Sequence, residues 1–253
     1  MKVDAILLAG ARNQGPLREC SQSEYEALIE INGIPMIEYV VRAARNARSV
    51  ERIAVVGPVE ILRPYLKDQV DFLIESREQI VENIKAGIET LKSNRKILIL
   101  TSDIPLISAE TIDLFVSHCK SCDADFYYPI ISKEANQSKF PGTQRTYARL
   151  REGTFTGGNI FILNPSVIEI ASEFIHKLVT WRKKPLKLSR LFGLKFIIKF
   201  VLGSLTISEL EERLKEITGC SAITLIFEYP EIGFDVDKPS DLALMEKYMQ
   251  QAK

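Results

Sequence analysis

The chain has 253 residues, 46% of them hydrophobic, and its 33 lysines and arginines balance 33 aspartates and glutamates. A net charge of zero gives no bulk attraction to nucleic acid or to a membrane, and we expect no nucleic-acid partner. The length suits one large domain with a sizeable core, or one domain with an appended piece.

The first apolar run, VDAILLAG, predicts a buried strand over residues 3–9 that stops at Gly10. A mostly polar loop follows at residues 11–23 and carries Arg12 and Arg18. In open parallel sheets, ligands bind at the carboxyl ends of the strands, where backbone N–H groups and arginines can hold phosphates. We interpret this loop as a triphosphate-binding loop, and the alternative is an ordinary polar connection.

Further along the chain, strand-length apolar runs alternate with segments of helical period. Helices are predicted at 34–47, 77–91 and 109–119, and strands at 52–57, 96–103 and 124–130. This alternation predicts a Rossmann-like three-layer α/β/α fold, in which helices cover both faces of a mostly parallel sheet.

From residue 165 the pattern is nearly all helical. We interpret residues 166–218 as a helical insertion within a single domain of residues 1–253, because strands return at 222–229 and 232–237 before a closing helix at 238–251.

Inside the insertion, the apolar stretch RLFGLKFIIKFVLG has about fourteen residues, whereas a membrane span needs roughly twenty. The favoured interpretation is a cap packed on the sheet or a dimer contact, so a homodimer is one expected assembly. The alternative is a membrane-surface element. The overlapping segment WRKKPLKLSR, at its amino-terminal end, contains the cations Arg182, Lys183, Lys184, Lys187 and Arg190.

The four cysteines favour a reduced, cytoplasmic protein. Cys119 and Cys122 form a C-x-x-C, but zinc would need two more ligands, and no second pair lies at a usual spacing. The N-terminal apolar run is too short for a signal peptide or a membrane anchor and contains Asp4. We therefore expect no transmembrane segment.

Four segments carry a family resemblance when taken in order: ILLAG, ALIEINGIPMIEYVVRAA, ILILTSDIPLI and GFDVDKPSDL. Together they resemble the molybdenum-cofactor-guanylyltransferase-like (MobA-like) NTP transferases, nucleotidyltransferases on a Rossmann-like sheet. The segment FPGTQRTYARLREGTFTGGN is similar to a small prokaryotic subfamily within that family. The resemblance implies Mg²⁺-dependent transfer of an NMP group from an NTP to a phosphate or hydroxyl of a small-molecule acceptor, with release of pyrophosphate. The arginines between Arg145 and Arg151 favour a phosphorylated acceptor. A sugar transferase on the same nucleotide-binding fold matches these motifs less well.

The resemblance also implies which residues act. Arg18 and Asp103 would be catalytic, and Asp103 and Asp237 would hold Mg²⁺, with Asp235 supporting them from the same face of a strand. The NTP would bind at Leu8, Ala9, Gly10, Ala11, Arg12 and Arg18.

The acceptor is expected at Arg145, Arg149, Gly157, Gly158 and Asn159. Alternation in RTYARLRE predicts one cationic face, and the paired glycines are expected to leave space for the acceptor. An edge strand protected by charge explains the arginines equally well.

The loop departs from the family signature Leu-Ala-Gly-Gly-x-Ser-x-Arg-Met-Gly and its following lysine. Ala11 replaces the second glycine, and Glu26 stands where the lysine is expected. Losing such a contact lowers rates by about a hundred- to a thousandfold. The alternative function is therefore a nucleotide-binding protein of this fold that has lost catalysis.

Overall fold

The computed structural model describes residues 1–181 and 185–251, so Arg182, Lys183 and Lys184 lie outside the described residues. The strands, in chain order, are β1 Val3–Leu8, β2 Glu30–Ile31, β3 Ile34–Pro35, β4 Val50–Gly57, β5 Phe72–Glu75, β6 Ile97–Thr101, β7 Phe126–Ser132, β8 Ala148–Leu150, β9 Gly153–Gly157, β10 Ile160–Leu163 and β11 Ala222–Ile226. The helices are α1 Met36–Asn46, α2 Val59–Leu66, α3 Ile80–Leu91, α4 Ala109–His118, α5 Lys133–Lys139, α6 Pro165–Trp181, α7 Pro185–Phe192, α8 Leu194–Val201, α9 Ile207–Thr218 and α10 Pro239–Gln251.

One mixed sheet organises these elements. Its strand order is β5-β4-β1-β6-β10-β7-β9-β8, and β11 pairs with β7. Strands β4 and β6 flank β1 and are parallel to it, and β11 is parallel to β7. Among the described strands of this sheet, only β9 and β10 run against the others. The predicted mostly parallel sheet is confirmed, and the reversed pair is the part that the sequence pattern did not reveal.

Helices cover both faces of the sheet, which confirms the three-layer prediction. On one face, Leu7 of β1 shares a buried cluster with Val40 of α1 and Phe115 of α4. On the other, Ile6 shares a cluster with Ile84 of α3. Because successive strand side chains point to opposite faces, a strand covered on both sides is apolar throughout.

The segment predicted as a helical insertion contains α6 to α9. Helix α6 contributes Val167 and Ile168 to the same buried cluster as Ile6. Farther along, Phe196 of α8 and Ile207 of α9 pack against a cluster that contains Phe155 of β9. The division into one domain with an insertion stays a prediction. Among the described helices, none combines the length and the apolar character needed to cross a bilayer.

The apolar stretch within the insertion is two helices. Helix α7 ends at Phe192 and α8 begins at Leu194, because Gly193 between them has a φ of +92°. This backbone region is open to glycine, which has no Cβ.

The strand predicted over residues 232–237 is wrong. A 3₁₀ helix occupies Pro230–Gly233, and the residues after it belong to no strand. A backbone hydrogen bond joins this run to the segment after β6, from the Val236 N–H to the Asp103 carbonyl at 2.9 Å. Because β6 ends at Thr101, this segment lies beyond the end of the strand. No strand backbone remains there for it to pair with.

Candidate active site

Three carboxylates converge beyond the carboxyl end of β6. Asp103 lies two residues after the strand, and Asp235 and Asp237 flank Val236, whose N–H binds the Asp103 carbonyl. One carboxylate oxygen from each aspartate lies within 4.8 Å of the other two. This backbone hydrogen bond joins the segment after β6 to the segment before α10. It brings together the residues that were predicted to bind Mg²⁺.

Negative charge is concentrated at this point. Burial raises the pKa of Asp103, and the charge of Asp237 raises it further, although a hydrogen bond from the Thr101 hydroxyl opposes the shift. Mg²⁺ prefers oxygen ligands and is usually bound by one or two carboxylates together with substrate phosphates and water. The donor set therefore fits the predicted ion.

Arg145 is the cation within this cluster. Its guanidinium donates to the Asp235 carboxylate and, at 2.8 Å, to the Asp235 carbonyl, and it lies 4.6 Å from the centre of the Phe234 ring. The side chain is only 7% exposed, and its Nε is buried without a partner. Burial lowers the pKa of Arg145, whereas the charges of Asp241, Asp237 and Asp103 raise it.

The predicted single cationic face over residues 145–151 is wrong. Arg145 turns inward to the carboxylates, whereas Arg149 is exposed and its side chain contacts Gly203, in the loop after α8. Arg149 pairs in register with Thr154, three residues before Gly157, the last residue of β9. At about 3.3 Å per residue, Arg149 is roughly 10 Å from that end of the strand.

Gly157, Gly158 and Asn159 lie beside the carboxylate edge. The Asn159 carbonyl accepts a hydrogen bond from the Thr101 N–H at 3.2 Å, and its own N–H donates to the Ile232 carbonyl at 2.7 Å. A Cβ at Gly157 would overlap the Tyr128 hydroxyl. Close packing against protein atoms therefore accounts for this glycine, and the acceptor space expected beside it stays a prediction.

Gly158 is also packed against protein atoms. A Cβ there would approach Pro129 to 2.9 Å and Ile232 to 3.3 Å.

The loop after β1 folds back on itself. The Glu26 N–H donates to the Ala11 carbonyl at 3.0 Å, and the Asn13 N–H donates to the Glu24 carbonyl at 2.8 Å. Of the other residues predicted to bind the NTP, Leu8 ends β1, Ala9 is buried and donates its N–H to Val56, and Gly10 packs against Ser76.

The two loop arginines have partners within the loop. Arg12 donates to the Glu24 carboxylate at 2.6 Å and lies over the ring of Tyr25. Arg18 donates to the carbonyls of Gln22 and Ser23 at 2.9 and 3.2 Å. Within the described residues, neither arginine forms a hydrogen bond or an ion pair with the three carboxylates.

Glu26, which stands where the family has a lysine, belongs to this acidic environment. Burial raises its pKa, and the charges of Asp103 and Asp237 raise it further. Glu26 therefore lies close enough to Asp103 and Asp237 to interact with them electrostatically.

Sequence reasoning missed two polar residues of the site. The Thr101 hydroxyl donates a hydrogen bond to the Asp103 carboxylate. The sequence could have indicated this contact, because residues two apart on an extended chain point to the same side. Asp241, in the first turn of α10, accepts a 3.3 Å hydrogen bond from the Asp237 N–H.

Comparison with known proteins gives the fold and the family. A hypothetical transferase from Thermus thermophilus is 36% identical, with a TM-score of 0.84 over 96% of this chain and all of the other. The structure of CMP:2-keto-3-deoxy-manno-octonic acid synthetase complexed with CTP shares the fold, with a TM-score of 0.65 at 13% identity over the full length of both chains.

The bifunctional protein GlmU of Nitratiruptor sp. is 29% identical over 137 residues, which cover 53% of this chain and 30% of that protein. The match thus spans less than a third of this curated relative. The profile of the MobA-like NTP transferase domain matches residues 6–186, which is more than half of the chain. The chain therefore belongs to the MobA-like NTP transferase domain family.

Proposed function

We propose that the protein transfers an NMP group from an NTP to a phosphorylated small-molecule acceptor and releases pyrophosphate, with Mg²⁺ as the cofactor. The observation that carries this proposal is the convergence of Asp103, Asp235 and Asp237 within 4.8 Å at the carboxyl edge of a nucleotidyltransferase fold. Free cysteines support a reduced, cytoplasmic setting.

Asp103 and Asp237 would hold Mg²⁺, and Asp235, paired with Arg145, would keep the two ligands in place. The bound ion would neutralise phosphate charge and orient the reacting oxygens. The aspartates would hold it at the strand ends, where ligands of parallel sheets bind.

The loop would bind the NTP phosphates through the backbone of residues 8–11 and through Arg12 and Arg18. Arg18 would stabilise the negative charge that develops on the departing pyrophosphate. Because both arginines now bind groups of the loop itself, we expect phosphates to displace Glu24 from Arg12 and two carbonyls from Arg18.

The acceptor would lie against Gly157, Gly158 and Asn159. In the described residues, the Asn159 side-chain amide has no hydrogen-bond partner, so it is available to a ligand. Arg145 would act on this region through Asp235, since it is buried in that ion pair.

A second candidate function is nucleotide binding without catalysis. Glu26 favours it, because a carboxylate in place of the lysine repels phosphate and already interacts with Asp103 and Asp237. Restoring the cation by Glu26→Lys should then raise NTP affinity.

The decisive experiment measures pyrophosphate release with each of the four NTPs against pooled phosphorylated alcohols and cofactors, with and without Mg²⁺. Pyrophosphate should form only with Mg²⁺, an NTP and an acceptor together, and Asp103→Asn should abolish it. Asp68→Asn, an exposed aspartate after α2, is the matched control and should leave turnover unchanged.

Calorimetry separates the two candidates. Mg²⁺-dependent NTP binding without turnover in any pool would replace transfer by the binding function. Absence of Mg²⁺-dependent NTP binding would contradict both.

A further inference from the structure

Helix α8 presents an apolar stripe to solvent. Leu194, Ile198, Val201 and the adjoining Leu202 are 67%, 50%, 75% and 69% exposed. Their spacing places them along one side of a helix. Contiguous exposed apolar surface of this kind marks an interaction site more often than single exposed residues do.

The opposite side of α8 is anchored to the rest of the protein. Phe196 stacks on Phe192 with ring centres 5.0 Å apart and packs against the buried cluster that contains Phe155. Lys199 forms an ion pair with Glu209 of α9. The inner face thus holds the helix in position, and the outer stripe remains exposed.

Unpaired cations border this stripe. Arg149 and Arg151, with Gly203 and Ser204, line an open cleft of about 430 Å³ that begins one residue after Leu202. Within residues 1–181 and 185–251, no carboxylate pairs with Arg149, with Arg151 or with Lys195, which is exposed next to Leu194. Apolar surface therefore lies directly beside uncompensated positive charge.

On α7, Lys187 and Arg190 are likewise exposed. Lys187 lies over the ring of Trp181, and the described part of the chain offers neither cation an ion pair. The positive charge therefore extends along both helices, although the whole chain is neutral.

Charge and area both argue against a second copy of this chain as the occupant. A two-fold contact would bring the unpaired arginines and lysines of two copies together. An eight-residue helix is only about 12 Å long, and a stable interface buries about 800 Å² on each partner. An anionic bilayer surface suits both the cations and the apolar stripe, because lipid phosphates attract the cations and the membrane interface accepts the apolar side chains.

We propose that the α8 stripe and the Arg149–Arg151 cleft form a docking surface for anionic phospholipid membranes. Leu194, Ile198, Val201 and Leu202 enter the boundary between headgroups and acyl chains, and the two arginines bind lipid phosphates at its edge. This proposal does not depend on the reaction that the protein catalyses.

The test is co-sedimentation of the full chain with phosphatidylcholine vesicles, with and without added phosphatidylglycerol. We expect binding only to the anionic vesicles, weakening as salt rises. Ile198→Asp should lower the partition coefficient by about tenfold or more, since it places a charge in the apolar interface. Ile61→Asp, which changes an exposed isoleucine of α2, is the matched control and should bind as the unchanged protein does.

A second variant tests the cleft. Arg149→Ala with Arg151→Ala should reduce the salt dependence, and circular dichroism checks that every variant remains folded. No binding to anionic vesicles, or equal binding by Ile198→Asp and Ile61→Asp, would overturn the proposal. So would a dimer in analytical ultracentrifugation that Ile198→Asp dissociates, in a protein that does not bind vesicles.

Discussion

Arg145 is the residue on which the charge balance of the site depends. Asp103, Asp235 and Asp237 have oxygens within 4.8 Å of one another, and Arg145 is ion-paired with one of them while nearly buried. Breaking a buried pair from one side is costly, because the remaining charge has lost both water and its partner.

Without Mg²⁺, Arg145→Ala should lower the free energy of unfolding by about 3 kcal/mol. This value is the lower end of the range for breaking a buried ion pair, because the Asp235 side chain stays 21% exposed. Added Mg²⁺ should recover part of this loss, since the less neutralised carboxylates bind the ion more tightly. Urea unfolding with and without Mg²⁺ measures both effects.

The control is Arg149→Ala, which removes an exposed arginine without an ion pair and should change stability by less than about 0.5 kcal/mol. Equal losses in the two variants would show that the Arg145 pair does not stabilise the site.

At the scale of elements, the fit between β9 and β7 positions the segment beside the carboxylates. Gly157 pairs in register with Ile130, and its missing side chain leaves room for the Tyr128 hydroxyl of the same strand β7. Within the described residues, that hydroxyl forms no hydrogen bond. Removing it should therefore cost little and should open space at residue 157.

Gly157→Ala should destabilise the protein by about 1–3 kcal/mol, the range for inserting a methyl group into a packed site. Tyr128→Phe should restore most of this loss in the double variant, because it removes the atom that the Cβ overlaps. A double-mutant cycle from urea unfolding measures the coupling.

Gly15→Ala serves as the comparison, since a Cβ there meets no atom within 4 Å and stability should change little. Additive effects of Gly157→Ala and Tyr128→Phe would rule out the contact as the reason for the glycine.

Across the whole molecule, the two ends of the sheet use charge differently. Near the amino end of β1, Asp4 is fully buried and accepts hydrogen bonds from Arg52 at 2.6 and 3.3 Å. Burial raises the pKa of Asp4, but the bonds from Arg52 and Ser93 and the charges of Arg52 and Arg95 bring it below its ordinary value. Near the amino end of β1, arginines neutralise the charge of Asp4. Beyond the carboxyl end of β6, the three aspartates carry negative charge that a bound cation would neutralise.

Asp4→Asn should lower the free energy of unfolding at pH 7 by about 1.5–3 kcal/mol, because Arg52 loses its charged hydrogen-bond acceptor but, at 35% exposed, remains partly solvated. A depressed folded-state pKa stabilises the protein above the unfolded value of about 3.9, and this stabilisation is lost as the pH falls through the folded value. The difference between the two proteins should therefore be constant near neutrality and should shrink below about pH 4. Urea unfolding at a series of pH values measures it.

Asp68→Asn is the matched control and should show no such difference at any pH. If the difference in free energy of unfolding between Asp4→Asn and the unchanged protein persisted below about pH 4, the charge of Asp4 would not be the reason for its stabilising effect.

The sequence by itself determined the layered fold and the family. Apolar runs and helical periods are local properties, so β1, β6, α1, α3 and α4 were each predictable to within a few residues. Ordered motifs indicated the family, and the carboxylate after β6 was recognisable from its place at a strand end.

Only the tertiary structure decided which charges meet. Arg145 and Asp235 are 90 residues apart, and alternation had grouped Arg145 with Arg149 on a surface instead of burying it against Phe234. The run at 232–237 likewise looked like a strand, but β6 has already ended where the run reaches it, so the Val236 N–H bonds to the Asp103 carbonyl and no ladder forms. Ion pairing depends on distance through space and on loss of water, and spacing along the chain specifies neither.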